Sequence, residues 1–597
     1  MAHSSIPKCT KRIAFRLFFF IFLFWGCSHT PLHAPGAADS EVQRSASGLT
    51  ETIVLSVLSD FRGSLSPQFF TQSSIERGGA PLIARLHQIA RDRMGDSLII
   101  FGGSRFLAGG LESSLDHGAS TVEFFNHIGV GFTVLSKEDF LFDEIERQKT
   151  LAPQSEVPGF PILRARMSEA KFPFAASDWT KDELAPTSTI IPIRSDLSIG
   201  VIGITGMGTN RLDPKWIESE SLKLRKEGAK IVLLAGKLEW DCKTKKIEMN
   251  ESIPILSSEM SPAFCSKKSK LGQVISALAP GTIHAVLLGS ASGDVQSFIR
   301  GIPVVGSRAK GLSVHFLYLT YSRPEERVSP QLTRIEGPIP ICNQVYLSAM
   351  NCDPNVSTDA SLRGPLVPMA YLGQSLSPDE NSREWLSDVH SKLSLEINRV
   401  VGQLDETDTK SMNWVADAVR EQVGSDFAII PRDLIDNEQV ESGPLTYEQV
   451  FRLLAQEDQI TVLRLRGREL LRLLRPVYSG VIPDPAVSGL TVVTLDSSQS
   501  PPGSDLNRDG LIEDWELNRI IRTRTSDGGW ILQKRLYTLA VVDRFPELHP
   551  GIGWAFGLIP KSRVFLGMGG SLREAIEKHL ERKPESAGNL PLRPQEP

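Results

Sequence analysis

The chain has 597 residues, 41% of them hydrophobic and 23% charged, with 65 Lys plus Arg against 70 Asp plus Glu and a formal net charge of -5. That length is enough for several domains, and the composition lets each bury a core. The charge balance gives no electrostatic reason to expect a nucleic-acid partner.

At the N-terminus Lys8, Lys11, Arg12 and Arg16 precede the apolar run LFFFIFLFW. The run is too short to span a bilayer and has the shape of a secretory h-region. It ends in FWGCS, where a small residue before Cys27 resembles a bacterial lipobox, although Phe24 and Trp25 are bulky for that motif. Residues 1–27 are therefore expected to be a lipoprotein-type signal cleaved before Cys27, the lipidation site. The other reading is an uncleaved anchor. Both export the remainder, to a bacterial membrane facing the periplasm or the cell surface, and residues 28–50 read as a flexible tether.

Cysteine usage fits export. Cys9 lies in the signal, and Cys242, Cys265, Cys342 and Cys352 remain beyond Cys27. An even number in an oxidising compartment predicts two disulfides, and sequence proximity favours Cys242–Cys265 and Cys342–Cys352. Each closure is worth about 3 kcal/mol. No Cys-x-x-Cys spacing points to zinc.

Residues 51–325 alternate short apolar strands with helices: strand TIVLSVL, helix GGAPLIARLHQIARDR, strand SLIIFGG, helix STVEFFNHIG, then strands GFTVLS, LSIGVIGIT, AKIVLLAG and IHAVLLGS. Strands apolar throughout are those covered on both faces, so the fold class is layered α/β. The loops after such strands are where chemistry sits. Residues 326–380, rich in Pro, Ser and Asn, read as a linker with a disulfide loop. A second α/β domain over 381–580 opens with an amphipathic helix whose apolar stripe is Trp385, Leu386, Val389, Leu393 and Ile397. It continues with helix MNWVADAVREQV, strand DFAII, helix YEQVFRLL, strand ITVLRL, helix GRELLRLLRP and strands GLTVVTL and YTLAVV. Residues 581–597 read as a disordered tail.

NWVADAVR, SGPLTYEQVFRLL, ITVLRLRGRELLRLL, YTLAVVD and Ser488 before GLTVVTLD resemble the 5′-nucleotidase family over about residues 52–570. The resemblance implies a calcineurin-like dimetal phosphoesterase domain over 51–325 and a nucleotide-recognition domain over 381–580. It also locates the catalytic positions, and these differ. The family's Asn-Asp-x-His-Gly is SDFRG here, which keeps Asp60 and replaces His by Arg62. Its Asp-Ala-Gly-Asp is FGGS, ending in Ser104. Its Gly-Asn-His-Glu-Phe is SKEDF, with Lys137 and Glu138. The strand expected to end in Ser-His ends LLAGKLE, leaving Gly236 or Lys237 at that position, and Gly-His-x-His is GSAS, with Ser290 and Ser292. The nucleotide-contacting Asn-Gly-Gly-x-x-Arg turn is IPRDLI. Gly-Gly-Asp-Gly-Tyr is PGIGW, leaving Trp554 as an aromatic that can stack on a base or pack in the core.

A two-metal mechanism needs both ions. Losing several ligands predicts that the dimetal centre is absent. Three functional readings follow, the third being a structural or adhesive surface protein that keeps only the fold. In the first the chain is a tethered pseudoenzyme, a ligand-binding or scaffold protein. Arg62, Lys137 and Lys237 then hold a phosphate or nucleotide directly, since Arg matches such anions bidentately. In the second it is an active phosphoesterase acting on nucleotides through a site rebuilt from Asp60, Glu138, Asp139 and a neighbouring His, against which Arg62 and Lys137 would repel a cation. The sequence names no protein partner.

One metal motif is complete. DLNRDGLIEDWE, residues 505–516, matches the EF-hand loop at every position. Asp505, Asn507, Asp509 and Glu516 offer side-chain oxygens, Leu511 a carbonyl and Glu513 a water-mediated contact, with Gly510 at the turn and Ile512 packing inward. SSQSPPGS before it cannot form the entering helix, whereas EDWELNRII suits the exiting one. The expected cofactor is a structural Ca²⁺.

Overall fold

The computed structural model describes residues 49–582 apart from 70–74, 108, 151–159, 177–183, 207–211, 245–252, 261–262, 266–268, 290–292, 354–363, 436–440, 455–457, 496–498, 500 and 568. The expected signal with Cys27, the tether through residue 48, most of the tail, and Ser290 and Ser292 lie outside the described residues.

Two sheets are stacked face to face in the N-terminal half. In the first, Thr50–Val57 lies parallel to Leu98–Phe101, which is followed by Val130–Val134 and Phe174–Ala175, and antiparallel to Ser313–Ser322. In the second, Leu197–Ile204, Ile231–Gly236 and Ala285–Leu288 run parallel, with antiparallel strands Ser188–Arg194 and Val295–Ile299 at the two edges. Leu55, Val57, Phe101 and Phe132 of the first sheet share one core with Val201, Leu233 and Leu287 of the second. The outer faces are covered by helices, Ala80–Met94 and Ala119–Ile128 over one sheet and Pro214–Lys226 and Lys270–Ala277 over the other. Each fully buried Leu, Ile or Phe of these layers contributes about 1.5–3 kcal/mol. The continuously apolar strands thus have the covered faces that their composition requires.

The segment read as a linker differs from expectation. Arg334–Pro340 is a strand of the first sheet, paired with Ser313–Ser322. Its Glu336 and two prolines gave it the look of a loop, but Glu336 Oε2 accepts a bond from buried Tyr318 OH (2.5 Å). The sulfurs pair as Cys242–Cys265 and Cys342–Cys352.

Helix Glu380–Ile397, capped by Asp379 on the Ser382 N–H (2.8 Å), carries the chain onward. It buries Leu386, Val389 and Ile397 and stacks Trp385 on Phe124, ring centres 5.9 Å apart. Behind it a five-stranded sheet is ordered Ala486–Ser488, Phe427–Ile430, Leu536–Val542, Ile460–Arg466, Val564–Phe565. Helices Asn413–Val423, Gly467–Val477 and Leu572–Arg582 pack their apolar residues into its core. In Gly467–Val477, Leu470, Leu473, Leu474 and Val477 recur at helical spacing and are buried, and Pro476 sits in the last turn, where the helix stops.

Candidate functional site

The parallel strands of both sheets end on the same rim of the sandwich, and the chain turns sharply there. Backbone bonds knit the ends together: Asp60 N–H to Gly289 C=O (2.6 Å), Gly289 N–H to Gly236 C=O (2.6 Å), Lys237 N–H to Ile204 C=O (2.7 Å), Lys137 N–H to Thr205 C=O (2.9 Å) and Arg62 N–H to Arg105 C=O (2.8 Å). Gly103 (φ 74°) and Gly236 (φ 129°) make this possible. A Cβ on either would stand 2.2 Å from the Leu58 carbonyl oxygen or 2.1 Å from that of Ile204. Asp60, Arg62, Arg105 and Lys310 also have positive φ (40°, 57°, 61° and 63°). L-residues hold such angles at a cost of about 1–3 kcal/mol each, and strain of this kind gathers at functional sites.

The side chains at this rim are mostly cationic. Asp60, 1% exposed, accepts two bonds on Oδ2 from Arg62, from Nε (2.8 Å) and from a terminal nitrogen (2.5 Å). Lys237 pairs with Glu138. Burial, followed by the charges of Arg105, Lys137 and Arg62, depresses Lys237 to about 8 despite Asp60. Lys310, whose N–H donates to the Asp60 C=O (3.0 Å), is likewise held down to about 8 by burial and then by Arg62, Arg105 and Arg77. Ser104 donates its hydroxyl to the Gly289 carbonyl (2.8 Å). Arg62, Ser104, Lys137, Glu138 and Lys237 lie with Asp60 on this rim. Arg105 and Lys310 join them without having been anticipated. Arg105 directly follows Ser104, and Lys310 lies in SRAKG, for which no motif was available.

These residues do not fit a dimetal centre. The strand-end carboxylate, Asp60, is clamped by a guanidinium, and lysines stand where neutral ligands belong. The rebuilt site loses Asp139 as well. It is 1% exposed and its oxygens accept from the Phe106 and Leu107 N–H (2.9 and 3.1 Å) and from the Arg105 N–H, Ser136 N–H and Ser136 hydroxyl (3.1, 2.9 and 2.8 Å). Burial pushes its pKa up and these bonds pull it down. Asp139 is a clasp between two loops. Among the described residues no group of three or more His, Cys, Asp or Glu comes together that could hold a metal ion.

Trp554 is placed elsewhere. It is half-buried on the C-terminal core with its ring centre 5.5 Å from that of Trp515. In the 505–516 loop Asp505 accepts from the N–H of Arg508 (2.6 Å), Asp509 (3.2 Å) and Gly510 (3.0 Å). Glu516, wholly buried, accepts from the N–H of Leu506 (2.5 Å), Asn507 (3.1 Å) and Glu513 (3.0 Å). The exiting helix is corrected to a single 3₁₀ turn, Asp514–Glu516, because Ile520–Thr525 pairs with Leu490–Thr494 instead. Ile512 is corrected from inward to 58% exposed.

No curated protein sequence matches the chain. Residues 390–545 match the family model of the 5′-nucleotidase C-terminal domain. Solved structures match over nearly the whole length. A 5′-nucleotidase precursor of Thermus thermophilus is 14% identical, with 89% of this chain and 96% of that one covered and a TM-score of 0.51. The NAD nucleotidase of Haemophilus influenzae is 11% identical (90% and 97% covered, TM-score 0.51). A 5′-nucleotidase candidate of Staphylococcus aureus is 15% identical (89% and 97% covered, TM-score 0.54). Residues 390–545 therefore carry the pattern of a 5′-nucleotidase C-terminal domain, and the chain as a whole has the fold of these 5′-nucleotidase structures.

Proposed function

We propose that this chain is a ligand-binding relative of the 5′-nucleotidases that has exchanged two-metal hydrolysis for direct recognition of an oxyanion, phosphate or a phosphate ester, by fixed cations. The observation that carries this reading is the convergence of Arg62, Arg105, Lys137, Lys237 and Lys310 on one strained rim, with Arg62 seated on the carboxylate that a metal would need. Guanidinium and ammonium groups held by backbone packing bind an oxyanion at little reorganisation cost. Phosphate titrated into metal-stripped protein should bind saturably and more weakly in Lys137→Ala and in Lys237→Ala. Lys137 is an exposed position whose truncation spares the core. Arg62→Ala is a poorer probe, because it strands the buried Asp60 charge at about 3–5 kcal/mol. Turnover of nucleoside monophosphates with added manganese, zinc or calcium above that of Asp60→Ala would overturn the reading.

We also infer that the protein is exported and held to a membrane through Cys27, and that the 505–516 loop takes a structural Ca²⁺. The segment before residue 28 and the two disulfides support export. No helix among the described residues is long and apolar enough to cross a membrane, and a lipid on Cys27 would supply an attachment. Incorporation of a labelled fatty acid, lost in Cys27→Ser, checks this. The oxygen-only donor set of the loop suits a hard cation.

A further inference from the structure

The cations of the rim continue beyond the strand ends. Lys310, bonded through its N–H to Asp60, lies with its carbonyl oxygen against Gly78, 3.3 Å from where a Cβ would stand. Gly78 follows Arg77 in the chain, and Arg308 precedes Lys310 by two residues. Arg77 and Arg308 line one cavity of about 50 Å³, with Asp294, Ser313, Asn351 and Cys352 among its walls. Arg62 and Arg77 both lie near enough to Lys310, and Arg308 near enough to Arg77, for their charges to act on one another, so these four cations mark a track from the strand ends to this cavity.

The carboxylates on the track are committed to shaping it. Asp294 accepts from the Arg308 N–H (3.1 Å), from the Ser313 hydroxyl and from a terminal nitrogen of Arg308 (3.2 Å), which orients that guanidinium. Asp353 lies near enough to Arg77 to favour its charge, whereas burial and the Arg308 charge oppose it. The size of the cavity also selects. A single water needs about 10–15 Å³ of such space, so 50 Å³ has room for one small oxyanion group.

This argument rests on the reading of the rim as an oxyanion site. We propose that its ligand is an oligophosphate-type polyanion with at least two linked oxyanion groups, one held at Arg62 and Lys237, the next in the cavity between Arg77 and Arg308, and Lys310 between them. Linking the groups makes the second contact intramolecular, so affinity rises with the number of groups and needs no new protein contact beyond the track.

The test is calorimetry on the full chain in chelator, with inorganic phosphate, pyrophosphate and tripolyphosphate as probes. Charge-assisted bonds to a second group should tighten binding at least about tenfold from phosphate to the longer probes. Arg308→Ala should remove that gain, and Arg308→Gln, which keeps a hydrogen-bond donor for Asp294, guards against a folding defect. Equal affinity for all three probes, or a gain that survives both Arg308 variants, overturns the polyanion and leaves the rim site standing. Absence of any phosphate binding overturns both.

Discussion

Asp60 and Arg62 lie two residues apart, both in the left-handed region, on a turn closed by the Gly289 and Arg105 carbonyls. The two bonds from Arg62 to Asp60 Oδ2 orient the guanidinium on this turn, so on the proposed reading fixed charge sets what the rim would accept. Lys237 makes the consequence measurable. Its pKa of about 8 means that its ammonium, the form that attracts an anion, is lost as pH rises through that value. A bound phosphate adds negative charge, raises the pKa of Lys237 and draws in a proton. Phosphate affinity should therefore fall above pH 8, by up to about tenfold per pH unit for each lysine that must be protonated. Calorimetry in buffers of different ionisation enthalpy should record proton uptake between pH 8 and 9. Lys237→Arg, which stays charged, should flatten the profile except for the share of Lys310, depressed to the same value. A profile as steep in Lys237→Arg as in the parent would remove Lys237 from the site.

The helix Glu380–Ile397 is the element that joins the sandwich to the C-terminal domain, and its contacts are of two kinds. The apolar ones, Trp385 on Phe124 and Ile397 with Leu111 and Phe451, do not respond to pH. The polar one does. His390 Nε2 meets Glu112 Oε1 at 2.5 Å, and Ser66 donates its hydroxyl to the same oxygen at 2.5 Å. Glu112 is 1% exposed, so its carboxylate depends on these partners. The bond to Glu112 raises the His390 pKa, burial opposes it, Glu112 and Glu448 add to the rise as charges, and Arg452 works against it. A His raised in the folded state gives stability that is complete below its ordinary value of about 6.5 and lost as pH climbs through the raised value. Hydrogen exchange along residues 380–397 should therefore speed up as pH rises above 6.5, after correction for the intrinsic pH dependence of exchange, and this extra acceleration should be absent in His390→Gln. An equal acceleration in the variant would assign the effect to another group.

At the scale of the whole molecule, the C-terminal domain was legible because its core is written densely: Val415, Ala416 and Val419, or Leu470, Leu473 and Leu474, are apolar at helical spacing and buried as that spacing demands. The strand Arg334–Pro340 was not legible, because Tyr318 satisfies Glu336 from a distant strand and no local pattern reports that. Arg62, Lys137 and Lys237 were found through aligned motifs. Arg105 and Lys310 lie just outside those motifs and were found only when the rim closed around Asp60. The 505–516 loop shows the same division, with a complete local pattern and an exit decided by long-range pairing with Leu490–Thr494. That exit ties the loop into the domain. Glu516 accepts on its carbonyl from Arg475 (2.8 Å), Trp515 lies on Trp554, and a Cβ on Gly551 would stand 2.5 Å from the Trp515 ring. An ion in the loop would therefore brace helix Gly467–Val477 against helix Pro550–Gly557. With a Kd on the order of 10⁻⁴ M, as in extracellular modules, about 10 mM calcium should stabilise the domain by about 2.7 kcal/mol. The readouts are binding heat and a rise in Tm, both absent in Glu516→Gln. If the parent protein gives neither at millimolar calcium, the loop is a turn held by its own amides, and the bracing belongs to Trp515 and Arg475 alone.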